Sequence, residues 1–143
     1  IYDILGEVFN MKICFVTGGT GGHIYPALAL ADKMKELDSS TEILFIGNDD
    51  RMEKDLIPQN GYAFKALHTS GLVGNAFKKC MEAMQEDITE WYYVGDNYIN
   101  DMQGAKSAGM KTIHFNRHHQ VSGPCADHVV YSAKELVEFI KKD

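Results

Sequence analysis

Strand-length apolar runs alternate with helix-length amphipathic stretches along the chain, and this alternation limits the possible folds more than any single motif. Apolar runs fall at 12–17, 42–46, 91–94, 111–115 and 128–131, with a weaker one at 62–67. Helical patterns fill the gaps at 26–38, 50–59, 75–85 and 101–108, and Ala133, Leu136, Val137 and Ile140 mark a last amphipathic helix. Strands that are apolar throughout must be covered on both faces, as in a parallel sheet. Alternating strands and helices then give helices on both faces of that sheet, joined by right-handed crossovers. The expected fold is a single α/β domain over residues 1–143, a three-layer doubly wound and mainly parallel sheet. No internal repeat or low-complexity linker divides it.

One strand runs into a carboxylate turn. The run 91–94 ends at Gly95-Asp96, and a short polar loop leads to a helix expected from Asp101. Ligands of doubly wound sheets sit at the carboxyl ends of the strands, where both acids fall. Hard oxygen donors there suit Mg²⁺, which takes one or two protein carboxylates and keeps several waters. Equally, Asp96 caps the turn and Asp101 caps the helix. Spacing alone does not separate the two readings.

A second strand, 12–17, runs into Gly18-Gly19-Thr20-Gly21-Gly22-His23, and Pro26 suits the first turn of a helix. Ala27, Leu30, Ala31, Met34 and Leu37 form its packing face. A glycine loop leading into a helix N-terminus presents N–H groups and the helix dipole to an anion. No Gly-Lys-Ser/Thr follows, which excludes a P-loop, and Ile24 stands where a dinucleotide fingerprint needs glycine.

Composition narrows the partners. Acids outnumber bases, 20 against 14, and no basic block interrupts the net charge of −6, which argues against nucleic acid. No run is long enough to span a membrane, and no signal-peptide pattern stands out. Cys14, Cys80 and Cys125 are odd in number and irregularly spaced, so they read as free thiols in a reducing, cytoplasmic setting. His114, His118 and His119 lack a carboxylate or cysteine at metal-ligand spacing. Met11 reads as a natural start, with residues 1–10 joined ahead of it.

Two resemblances follow from these motifs. Val94-Gly95-Asp96 through Asp101, with Gly104-Ala105-Lys106-Ser107-Ala108-Gly109-Met110, resembles the last motif of the haloacid dehalogenase-like hydrolases, over roughly residues 75–143. In that family the motif's acids hold Mg²⁺ beside a phosphoryl group. Residues 11–74 resemble the amino-terminal part of the bacterial N-acetylglucosaminyltransferases that complete lipid II in peptidoglycan synthesis. The carrying residues are Gly18 to His23, Tyr25-Pro26-Ala27-Leu28-Ala29, Phe45-Ile46-Gly47-Asn48, Arg51-Met52-Glu53 and Ser70-Gly71-Leu72. There the glycine loop faces the pyrophosphate cleft, so Thr20 and His23 are implied polar contacts. Val73 replaces the usual arginine of the later loop.

Residues 1–10 look like a degraded first hydrolase motif, implying Asp3 as nucleophile, with Leu5 where the general acid belongs and Glu7 where Thr or Val is common. A surface leader is the alternative. Thr17 would take the place of the hydrolases' second-motif hydroxyl, on a second strand. Lys78 and Lys79 lie near the position of the phosphoryl-neutralising lysine, yet read more simply as solvated surface lysines. The chain is thus expected to be a chimera or rearranged gene product folded as one Rossmann-like, haloacid dehalogenase-like domain. The implied function is residual Mg²⁺ binding, and binding of a phosphate-bearing small molecule or anion, with weak or absent phosphomonoester hydrolysis. The alternatives are a glycosyltransferase fragment lacking its nucleotide-sugar domain and a non-catalytic scaffold. The glycine loop and Asp96 should share one rim.

Overall fold

The computed structural model describes residues 11–17, 21–47, 52–66 and 73–142. Asp3, Leu5, Glu7, Gly18, Gly19 and Thr20 lie outside them. Six strands form one sheet: β1 (Lys12–Thr17), β2 (Glu42–Gly47), β3 (Ala63–Ala66), β4 (Trp91–Gly95), β5 (Lys111–Phe115) and β6 (His128–Val130). Their order is β3-β2-β1-β4-β5-β6, and every pairing is parallel. The helices are α1 (Gly21–Leu37), α2 (Glu53–Gln59), α3 (Val73–Ala83), α4 (Gln103–Ala108) and α5 (Ala133–Lys142).

The expected three-layer sheet is therefore present, and period-two alternation along the strands builds its two cores. Ile13 and Phe15 of β1 face one side, with Ile24, Leu28, Ala31 and Met34 of α1 and Leu136 and Ile140 of α5. Cys14 faces the other, with Met81 of α3, Ala105 of α4, Leu44, Ile46 and Tyr93. Phe15 and Phe45 stack across β1 and β2 at 5.3 Å. Each face draws on residues before and after Gly74, so the two resemblances meet in one core.

Three expectations need correction. Helix α1 begins at Gly21, not Pro26, which lies inside it. The apolar stripe already runs back one turn, because Ile24, Leu28 and Ala31 are buried at i, i+4 and i+7. The helix expected from Asp101 is preceded by a π turn, Tyr98–Met102, which then passes into α4. The resemblance put the glycine-loop strand second; instead β1 is a middle strand, paired with β2 on one edge and β4 on the other. Thr17 thus ends the strand beside the one that carries Asp96.

Strands β5 and β6 are joined by residues 116–127, without a helix. A parallel crossover needs about a dozen residues, and here side chains substitute for helix packing. Asn116, nearly buried, donates to the Gln120 carbonyl and accepts from its N–H, both at 2.8 Å. Asp127 accepts from the Thr112 N–H at 2.9 Å and pairs with Lys106 at 2.5 Å. All three cysteines are free, as expected. Among the described residues no helix is long and apolar enough to cross a membrane.

Candidate functional site at the switch point

Chain order reverses between β1 and β4: β2 and β3 extend one way, β5 and β6 the other. Loops leaving the two middle strands diverge there, opening a crevice at their carboxyl ends. A cavity of about 290 Å³ occupies it. Phe15, Val16 and Val94 form its floor, Pro26, Ala27 and Leu30 of α1 one wall, and Gly95, Asp96, Asn97 and Asp101 another. Phe115 and Arg117, from the end of β5 and just beyond it, complete the lining. The predicted shared rim is present as α1 and the carboxylate turn on either side of one cavity.

The two acids differ in environment. Asp96 is exposed, and its carbonyl accepts from His114 Nε2 at 3.2 Å. Asp101 is partly buried, and both its oxygens already accept: Oδ1 from the Tyr93 hydroxyl at 2.9 Å, Oδ2 from the Asn97 N–H at 3.0 Å. Burial raises its pKa despite those bonds, and nearby Asp96 adds to the rise. Burial likewise pushes the Tyr93 hydroxyl well above its ordinary range, keeping it a donor.

Asp101 lies directly over Gly95. A Cβ there would come within 2.7 Å of the Asp101 Cβ and Oδ2. Glycine thus lets the π turn fold back onto the strand end, and such turns recur at functional sites. Of the two open readings, the turn-fixing role describes Asp101, whereas Asp96 presents its carboxylate at the cavity.

His114, weighed in the sequence as a metal ligand, is fully buried in β5. A carbonyl only accepts, so Nε2 carries the proton toward Asp96; Nδ1 then faces Ser122 Oγ at 2.8 Å. Next to it, the Tyr98 hydroxyl accepts from the Cys125 N–H at 2.9 Å. The ring of His119 stacks on Tyr131, at 4.7 Å. Among the described residues no three His, Cys, Asp or Glu side chains cluster to hold a metal. Lys78 and Lys79 are exposed on α3. Gly21, Gly22 and His23 form the first turn of α1, and Thr17 ends β1.

Asn97, Phe115 and Arg117 were not singled out in the sequence. Asn97 follows Asp96 directly; nothing local marks Phe115 or Arg117, whose place in the cavity depends on β5 lying beside β4. Arg117 holds its guanidinium 5.6 Å over the Phe115 ring.

The same architecture occurs in two kinds of solved protein. YfnB from Bacillus subtilis, described as a HAD-hydrolase and solved bound to magnesium, superposes with a TM-score of 0.64 at 16% identity, over 82% of this chain and 55% of that one. MurG from Acinetobacter baumannii does so with a TM-score of 0.56 at 18% identity, over 82% and 40%. At such identities the likeness is one of fold. In sequence, the UDP-N-acetylglucosamine--N-acetylmuramyl-(pentapeptide) pyrophosphoryl-undecaprenol N-acetylglucosamine transferase of Christiangramia forsetii is 50% identical over 63 residues, 44% of this chain. The chain spans about 17% of that relative's length. The glycosyltransferase family 28 N-terminal domain matches residues 13–102, running past residue 74 through β4 and the carboxylate turn. With nearly two thirds of its residues inside that match, the chain belongs to glycosyltransferase family 28.

Proposed function

We propose that the crevice between β1 and β4 binds the phosphate-bearing part of a small molecule, with weak or absent phosphomonoester hydrolysis. The observation that carries this reading is the cavity itself. One wall is the amino-terminal part of α1, which follows the glycine loop, and the other is the Asp96 turn. A helix N-terminus favours negative charge, and the apolar floor excludes water from it. Asp96 fits a Mg²⁺ that keeps most of its waters and is shared with a ligand phosphate. Asp101 fits less well, because its oxygens already serve Tyr93 and Asn97. When bound, Mg²⁺ would offset phosphate charge, while the chain's own part is to orient the anion between α1 and Asp96. Leu5 cannot donate a proton to a leaving group, which is why turnover is expected to be weak. The three free thiols support a reducing, cytoplasmic setting.

The family match favours a second reading, a glycosyltransferase amino-terminal fragment that acts only with a further domain. Titration of the chain with inorganic phosphate, with and without Mg²⁺, tests the first. Binding that Mg²⁺ tightens in wild type and not in Asp96→Asn is the expected result. Robust phosphatase turnover, lost in Asp3→Ala, would overturn the inactive part. Tight binding of a nucleotide sugar by this chain alone would favour the second.

A further inference from the structure

A second cavity of about 110 Å³ adjoins the first, and the two share Asp96, Asn97, Phe115 and Arg117. Arg117 is exposed and stands where the cavities meet. Among the described residues it forms no ion pair, and its recorded contact is the Phe115 ring under its guanidinium. Stacking uses the face of the guanidinium and leaves the N–H donors at its edge pointing outward in plane. A fork held flat this way is oriented for bidentate contact with a carboxylate or phosphate.

From this we infer that Arg117 is a specificity-determining residue, taking a second anionic group of a ligand whose phosphate lies between α1 and Asp96. The ligand class is then a small phosphomonoester with another oxyanion a few bonds away. Two carboxylates and one guanidinium around a single crevice suit such a molecule better than a lone phosphate. Asp96, or Mg²⁺ upon it, orders one end, while Arg117 holds the other over the smaller cavity. This inference rests on the phosphate-binding reading above.

A matched pair of probes separates the two. Propyl phosphate carries one anionic group; 2-carboxyethyl phosphate has the same length and adds a carboxylate. The full chain should bind the second about tenfold more tightly, the size expected for a charge-assisted bidentate contact. Arg117→Ala should erase that preference and leave propyl phosphate within about twofold of wild type, as a local contact requires. Arg117→Lys, which keeps the charge without the fork, should restore only part of it. Because Arg117 is exposed, both variants should melt with wild type, which circular dichroism would check. A preference that survives Arg117→Ala, equal weakening of both probes, or full recovery by lysine would overturn the assignment. Wild type that binds propyl phosphate without preferring the carboxylate overturns the Arg117 role alone. Wild type that binds neither probe overturns the phosphate-binding reading, and this inference with it.

Discussion

Asp101 shows how one side chain can look like a ligand in sequence and work as a brace in structure. Its carboxylate bridges the Tyr93 hydroxyl and the Asn97 N–H, and it covers Gly95 so closely that no Cβ fits. Gly95→Ala should therefore cost about 1–3 kcal/mol, the usual range for overpacking, and a urea melt would show it. The charge itself is a burden. Burial raises the folded pKa, so the contribution of Asp101 to stability is fully present below the ordinary 3.8 and is lost as pH rises through the folded value. Asparagine can keep both contacts, its oxygen accepting from Asn97 and its amide donating to the Tyr93 oxygen. Asp101→Asn should thus raise the melting temperature at pH 7, with the gain fading on acidification. A loss of stability at pH 7 would show that the negative charge is needed where it stands.

At the scale of elements, strand positions were legible because buried parallel strands leave unbroken apolar runs. Lys12–Thr17 and Lys111–Phe115 were bounded to the residue. Helix starts were less so, since Pro26 reads as a first-turn residue although the buried stripe continues back to Ile24. The π turn has no sequence signature at all; it exists because Gly95 admits Asp101 from across the turn. For the same reason half of the site was visible, as the glycine loop and Asp96 are local motifs. Arg117 was not, because it reaches the cavity only through the placement of β5 against β4. The 116–127 crossover is likewise set by tertiary contacts: Ser122 is placed by His114, and the Cys125 amide by the Tyr98 hydroxyl. Tyr98→Phe should leave that half-buried amide unpaired, at about 1–3 kcal/mol. Amide exchange should quicken within 121–126 and the Cys125 thiol should react faster. Unchanged exchange there would mean the crossover is held from elsewhere.

For the whole molecule, the open question is whether 11–74 and 75–143 behave as two units or one, and the amino-terminal edge of the sheet gives a direct probe. Lys12 opens β1, yet its Nζ lies 2.8 Å from Glu86 and 3.2 Å from Glu90, both in the later segment, and 3.5 Å from Glu42. The Trp91 indole N–H also donates to Glu86, at 3.3 Å. Glu86, through its hydrogen bond, holds the Lys12 ammonium above its ordinary 10.5, and Lys12 holds the Glu86 carboxyl below 4.5. The lysine's part is complete below 10.5 and is lost as pH rises through its folded value; the glutamate's is complete above 4.5 and is lost as pH falls through its own. The cluster thus works fully between those limits. Lys12→Met keeps most of the apolar stem over Trp91, removes the charge, and should cost about 1–3 kcal/mol at pH 7, with the deficit shrinking toward either extreme. Since Cys14, Leu44 and Tyr93 share one face and Ile13, Val94 and Leu136 the other, neither segment can bury its strands alone. Urea unfolding should therefore be a single transition by tryptophan fluorescence, reporting the later segment, and by far-ultraviolet circular dichroism, reporting both. Lys12→Met should move the two curves together. Two separate midpoints, with only one displaced by the substitution, would mean that the segments fold as independent units and that the crevice between β1 and β4 is not part of a single cooperative core.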